Sequence, residues 1–551
     1  MAKFKVELFE KTLITPEIWD NPDTDYNPFE IQDLIAFNPC YTDYNKENFT
    51  TAQFNHSYHI YDNKTVTNDK DEKIEKDIFI KYAPLLDPCH YMIGKYKHDI
   101  HLKELPYNGN QNLHYKINSI HNASHVDNMC CLLVNKLREH HNFFNSVEYY
   151  GSFLGIQNKY RINIADDIEY LQSYDFFENG LGKLFNTNIF EKDSYTELIN
   201  KQSLKNKPTL AFDDADVIID VETINNEDDV KIVKDSLDLV YENDKVGGED
   251  DDASSSNDSA VSDSDDEDGS EYEDEEEEEE CEEDEEDECE EDDDEDEPVY
   301  AYINEFPVQM ICLEKCTNTF DHLLANELID EDQGRSALFQ VIMILITLQK
   351  SFNFTHNDLH TNNIMYDEVD YDYIYYVHNS VTYEVPTYGR IYKLIDFGRA
   401  IATYNGITYC SDSFKEGGDA HTQYNFEPFF DSSKKRIMPN YSFDLCRLGC
   451  SIYDFIIDSE MDVSSMNGLQ KLISQWCTDD NDKNILYKKN GEERYPNFKL
   501  YKMIARHVNK HTPRSQLDNA FFKSYITDKT DVNESQRFNV DNVSSYVKAQ
   551  K

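Results

Sequence analysis

The sequence predicts an α+β protein, and three observations carry that reading. Short stretches with the alternation of strands recur through the first 316 residues, with one helix among them. Longer apolar repeats at helical spacing dominate from about residue 317 onward. A long acidic tract interrupts the first of these regions and has the composition of a disordered segment.

In chain order, residues 1–50 are polar, aromatic-studded and without clear period, and are expected to be an extension that packs on the domain. Residues 54–66 alternate like a strand, and Ile78, Phe79, Ile80, Lys81 and Tyr82 form a second short strand with one cation among apolar side chains. Over 124–137, Val126, Met129, Cys130, Leu133 and Leu137 fall on one helical face. Val147 to Leu154 reads as a strand and turn. Residues 156–245 look like an inserted segment, and 306–313 like a buried strand. A helix is expected from Thr319, and a long one over 336–352, where Leu338, Val341, Ile342, Leu345 and Leu348 repeat. The Tyr-rich 371–392 reads as a lengthened hairpin, 469–476 and 500–508 as helices, and the polar last twenty residues as a tail.

A length of 551 residues allows one large domain with insertions or two to four ordinary ones. The net charge of −59 argues against nucleic-acid or anionic-membrane binding through a general basic surface. Of the 110 Asp and Glu, 34 lie between Gly247 and Glu297, where no Lys or Arg occurs. That tract reads either as a solvated spacer or as a lure for basic proteins, and Ser262, Ser264 and Ser270 each have an acid three residues on. Twelve scattered cysteines without a C-x-x-C pair read as reduced intracellular thiols. Zinc would require Cys312 and Cys316 to meet Cys446 and Cys450. The start lacks the apolar run of a signal peptide, and the longest apolar stretch, 341–348, is too short to span a bilayer. A soluble intracellular protein, cytoplasmic or nuclear and monomeric, is expected.

The chemistry concentrates in 355–400. His356, Asp358 and Asn363 fit H-x-D-L-x-x-x-N, and Asp396, Phe397 and Gly398 follow an apolar stretch as D-F-G. Phosphoryl transfer needs a carboxylate to orient the attacking hydroxyl, together with an Asn and an Asp to hold magnesium on the phosphates. These residues resemble the motifs of the eukaryotic-type protein kinase superfamily over about residues 54–525, in the manner of the divergent Ser/Thr kinases of large DNA viruses. A viral member would work in the host cell or the virion.

The resemblance implies a two-lobed protein-kinase-like fold: a small β-rich lobe in 51–245 and 299–316, and a larger helical lobe in 317–530. The insertion at 156–245, the disordered acidic tract at 246–298 and the tail at 531–551 would interrupt or follow it. It implies ATP and Mg2+, with a protein Ser or Thr hydroxyl as acceptor. Asp358 would be the catalytic carboxylate, and Asn363 and Asp396 the metal ligands. Lys81 would contact the nucleotide phosphates and pair with Asp127, Leu313 would guard the adenine pocket, and Glu314 to Cys316 would be the hinge. Asp444 would anchor the catalytic-loop backbone. For Lys81 the alternative is a solvated strand lysine, and for Asp127 a helix-start charge.

The chain departs from the family at several points. No glycine precedes Gly94, so the Gly-rich phosphate loop is missing; Asn357 replaces an Arg that reads activation-loop phosphate; His360 stands where Ser/Thr kinases have Lys. Asp358 and Asp396 lie 38 residues apart, and no A-P-E follows. Two other function classes therefore compete: a small-molecule phosphotransferase of the choline-kinase or aminoglycoside type, and a non-catalytic pseudokinase scaffold.

Overall fold

A computed structural model describes residues 3–188 and 299–549, apart from 22, 24–25, 108–109, 111, 459–463 and 530. The acidic tract and residues 189–245 of the expected insertion lie outside the described residues. The described chain is a mixed α+β structure whose main sheet has the strand order Ile31–Ile35, Tyr149–Asn163, Tyr300–Glu314, Ile78–Pro84. Each pair is antiparallel, and Phe185–Thr187 adds to the far end of Tyr300–Glu314.

Alternation along Ile78–Pro84 sends its side chains to two environments. Ile78, Ile80 and Tyr82 pack with Ile60, Val66, Trp19, Met310 and Cys312, so residues 59–75 lie over that face as a three-stranded sheet of their own. Ala83 packs with Val126, Met129, Cys130 and Leu133 of helix Ala123–His141 on the other face. Period two places Lys81 and Phe79 on this helix side, where Phe79 is half exposed. The stretch ahead of the lysine strand therefore covers the face that Lys81 does not occupy.

Helix Ala123–His141 starts at Asn122, whose side chain accepts the Ser124 N–H at 2.9 Å, and stops at Asn142 in the left-handed region. The long helix Glu331–Phe352 is almost wholly buried beyond its first turn and begins with an Asp330/Gln333 capping box. Gly334 lets it approach Gly468–Trp476, because a Cβ there would sit 2.8 Å from Leu469. Helices Phe443–Ile456 and Lys499–His507 complete this part of the core. The predicted hairpin is present as Tyr373–His378 and Val381–Pro386.

Four expectations need correction. Residues 54–66 are not one strand: the chain turns twice and forms Ala52–Phe54, His59–Asp62 and Thr65–Thr67. No turn follows Leu154; Tyr149–Asn163 runs through, and Gly151, with φ +130°, absorbs a bulge opposite Cys312 and Leu313. The expected insertion therefore begins as part of the sheet, with 156–163 in strand and 168–188 in two short helices and the added strand. The polar ending is no loose tail, since Arg537–Asn539 pairs in parallel with Tyr373–His378 and Tyr546 is fully buried against Phe4 at 4.0 Å between ring centroids. The apolar anchors Phe538, Val540, Val543 and Tyr546 are spaced too irregularly for a periodic signal.

Candidate functional site

The loop after Glu331–Phe352 is held by a buried carboxylate. Asp444, in the first turn of Phe443–Ile456, accepts the backbone N–H of His356 at 2.9 Å and of Asn357 at 2.8 Å. Burial pushes its carboxyl up, while His356 and the two amides pull it back. His356 donates through Nε2 to the Ile395 carbonyl at 3.0 Å, which ties the loop to the stretch entering Asp396. Asn357 and Asp396 both have left-handed backbones, φ 64° and 58°, a costly conformation that Asn and Asp tolerate better than most residues.

Three distant segments meet at Lys81. Its ammonium lies 2.7 Å from Asp127 and 3.0 Å from Asp396. Burial alone would lower the Lys81 ammonium, but the two carboxylates hold it well above its ordinary value. Lys81 in turn keeps the Asp396 carboxyl well below the usual range. Asp127 is 2 % exposed and uses both oxygens, accepting the Phe397 N–H at 2.8 Å with the second. Glu139, the other acid on that helix, is engaged elsewhere with Lys136.

Asp358 sits at the mouth of the same loop with a quarter of its side chain exposed. Tyr501 donates to its Oδ1 at 2.8 Å, and Arg399 lies 3.7 Å away while pairing with Asp419 at 2.6 Å. Burial would raise the Asp358 carboxyl, but Arg399 and Arg447 hold it below its ordinary value. Asn363 donates to the Asp358 carbonyl at 2.9 Å and lies 3.1 Å from His360 Nε2. Burial lowers the His360 imidazole to about 4, so it is neutral at neutral pH and accepts the Asn363 amide hydrogen. With both amide hydrogens committed, Asn363 has its Oδ1 left, an acceptor that can also ligate a cation.

Asn363 and Asp396 therefore offer hard oxygen donors on two sides of one loop junction, which Ile395 N–H to Asn363 carbonyl at 3.1 Å closes. Few protein oxygens of this kind suit magnesium, which keeps phosphate oxygens and waters as its other ligands. Among the described residues no group of three or more His, Cys, Asp or Glu could hold a metal by itself, and the cysteines are free thiols.

Leu313 is buried at the end of its strand, opposite Phe79. Glu314 is anchored by Lys393 at 2.7 Å, its amide donates to the Glu148 carbonyl, and the Lys315 amide donates to the Asp77 carbonyl. Cys316 lies just past these ladder bonds and is buried, which pushes its thiol up to about 12.

Sequence reasoning missed the residues that brace the site from 400 onward. Tyr424 donates to Asn357 Oδ1 at 2.8 Å, while Asn357 Nδ2 donates to the Arg399 carbonyl at 2.9 Å. Asp412 accepts the Ala123 N–H at 3.0 Å and pairs with Lys116 at 2.9 Å. Nothing local in the chain marks these positions, because each contact spans tens to hundreds of residues. No protein-family model and no curated protein matches the chain.

Proposed function

We propose that the chain is a two-lobed, protein-kinase-like phosphotransferase that moves the γ-phosphate of ATP to a protein Ser or Thr hydroxyl. The observation that carries this reading is the meeting of Lys81, Asp127 and Asp396, from three separate segments, beside a loop presenting Asp358 and Asn363. In this reading Lys81 binds the nucleotide phosphates, oriented by Asp127. Asn363 and Asp396 would hold magnesium, which when bound would neutralise charge on the phosphates. Asp358, kept ionised by Arg399 and Arg447, orients the acceptor hydroxyl and takes its proton. Leu313 would border the base, and the backbone groups of Glu314 to Cys316 that the Glu148 and Asp77 carbonyls leave free would hydrogen-bond it. Asp444 keeps the loop in place by its two backbone bonds.

The packing of residues 59–75 on the face opposite Lys81 favours one second reading, a scaffold that binds nucleotide poorly or not at all. Nucleotide binding and group transfer separate the two. The kinase reading predicts that Mg-ATP raises the melting temperature of the wild type and not of Lys81→Met, and that phosphoserine or phosphothreonine forms on an offered basic or acidic protein. A chain that neither shifts nor transfers is the scaffold.

A further inference from the structure

The phenol of Tyr501 occupies a position for which the kinase reading has no part. It lies in helix Lys499–His507, 143 residues from Asp358, and its ring is held by Phe498, stacked at 5.4 Å, and by Phe443 at 6.0 Å. Arg447 Nε donates to the phenol oxygen at 2.8 Å, and the phenol lies 2.8 Å from Asp358 Oδ1. A guanidinium only donates, and an ionised carboxylate only accepts. The hydroxyl proton of Tyr501 therefore has one direction available, toward Asp358. Both bonds are charge-assisted, and each polarises the other. Burial raises the phenol further from ionisation, so this donor persists at any physiological pH.

The consequence falls on Asp358. Its Oδ1 is engaged by Tyr501 and faces Arg399 at 3.7 Å, which leaves Oδ2 as the oxygen for an incoming hydroxyl. A carboxylate free to rotate would present either oxygen and lose part of the alignment that transfer depends on. Arg447 and Asp444 share one helix, so the residue that aims the phenol and the residue that holds the loop backbone move as one body.

We propose that Tyr501, aimed by Arg447, is the positioning residue that fixes Asp358 for proton abstraction. This rests on Asp358 being the catalytic carboxylate. Tyr501→Phe keeps the ring and removes only the donor. The expected result is a kcat about tenfold lower, KM for ATP within twofold, and an unchanged Mg-ATP thermal shift. The acid limb of the kcat–pH profile moves to higher pH, because Asp358 loses a hydrogen bond to its charged form. Arg447→Lys, which retains charge but not the Nε contact, moves both readouts in the same direction. A Tyr501→Phe enzyme with wild-type kcat and an unmoved acid limb overturns the proposal. So does one whose kcat, ATP shift and melting temperature fall together with no change in the limb, since that is a folding defect. A wild type without transfer, or full transfer by Asp358→Asn, overturns the underlying reading instead, and neither outcome depends on the tyrosine variant.

Discussion

The carboxylate of Asp412 lies 2.9 Å from the ammonium of Lys116 and also accepts the Ala123 N–H at 3.0 Å, at the first turn of the helix that carries Asp127. A fixed negative charge at a helix start is favoured by the exposed amides and the helix dipole. With Tyr424 bonded to Asn357, the segment after Gly398 is tied to both the helix and the loop without a phosphate. Treatment with a phosphatase, or Thr403→Ala, Thr408→Ala and Thr422→Ala, should leave the transfer rate within twofold of wild type. Asp412→Asn should lower it about tenfold, since a charge-assisted bond of this kind contributes about 1.5–3 kcal/mol. Rates before and after dephosphorylation check the first statement, and the rate of Asp412→Asn against wild type checks the second.

In the kinase reading Asp127 takes a place that usually holds a longer Glu, and the short side chain suits its contacts. Its two oxygens reach Lys81 and the Phe397 N–H from a 2 % exposed position. An extra methylene at so buried a position should cost about 1–3 kcal/mol. Asp127→Glu should therefore fail to act as a conservative change, with a lower melting temperature and at least a tenfold loss of transfer. A fully active Asp127→Glu would show that the pocket is looser than these contacts imply.

The last residues should be needed for stability. Tyr546 is fully buried, stacks on Phe4 at 4.0 Å and receives or gives a 2.8 Å bond with His141. Tyr546→Ala should cost about 3–5 kcal/mol, in the range of large-aromatic truncations. Urea unfolding of the variant against wild type measures it.

Acid should destabilise the fold through two buried histidines. Burial pushes the His56 imidazole down to about 3; burial, with His56 and Lys11 beside it, pushes His59 down to about 2. In the unfolded chain both take up protons below about 6.5. From about pH 6.5 down to about 3 the unfolded state binds more protons, so stability falls as pH falls, and above that window these groups add no slope. The urea midpoint should drop between pH 7.5 and 5, and His59→Gln should flatten the drop. Equal slopes for variant and wild type would contradict this origin.

Much of the candidate site was readable because its signals are local. Asp358, Asn363 and Asp396 stand in contiguous motifs, whereas Asp127 lies beside the apolar face of Val126, Met129 and Leu133 rather than on it, and only the resemblance to kinases singles it out. The long helix was read a turn late because Glu331, Asp332 and Gln333 are polar, although Asp330 and Gln333 cap it. The strand and turn expected over 147–154 is a single 15-residue strand, in which Gly151 accommodates a bulge. Tyr501 and Asp412 act across 143 and 289 residues, and no periodicity carries information over such distances. The path of residues 59–75 over the far face follows from packing with Trp19, another contact between remote segments.

The most direct test of the central claim is magnesium-dependent transfer of labelled γ-phosphate from ATP to a mixture of basic and acidic proteins, run with wild type, Asp358→Asn and Asp396→Asn. Label on Ser or Thr is expected with wild type, and its loss in both variants while each still melts cooperatively. Equal labelling by all three proteins, or none by a wild type that Mg-ATP does not stabilise, would contradict it.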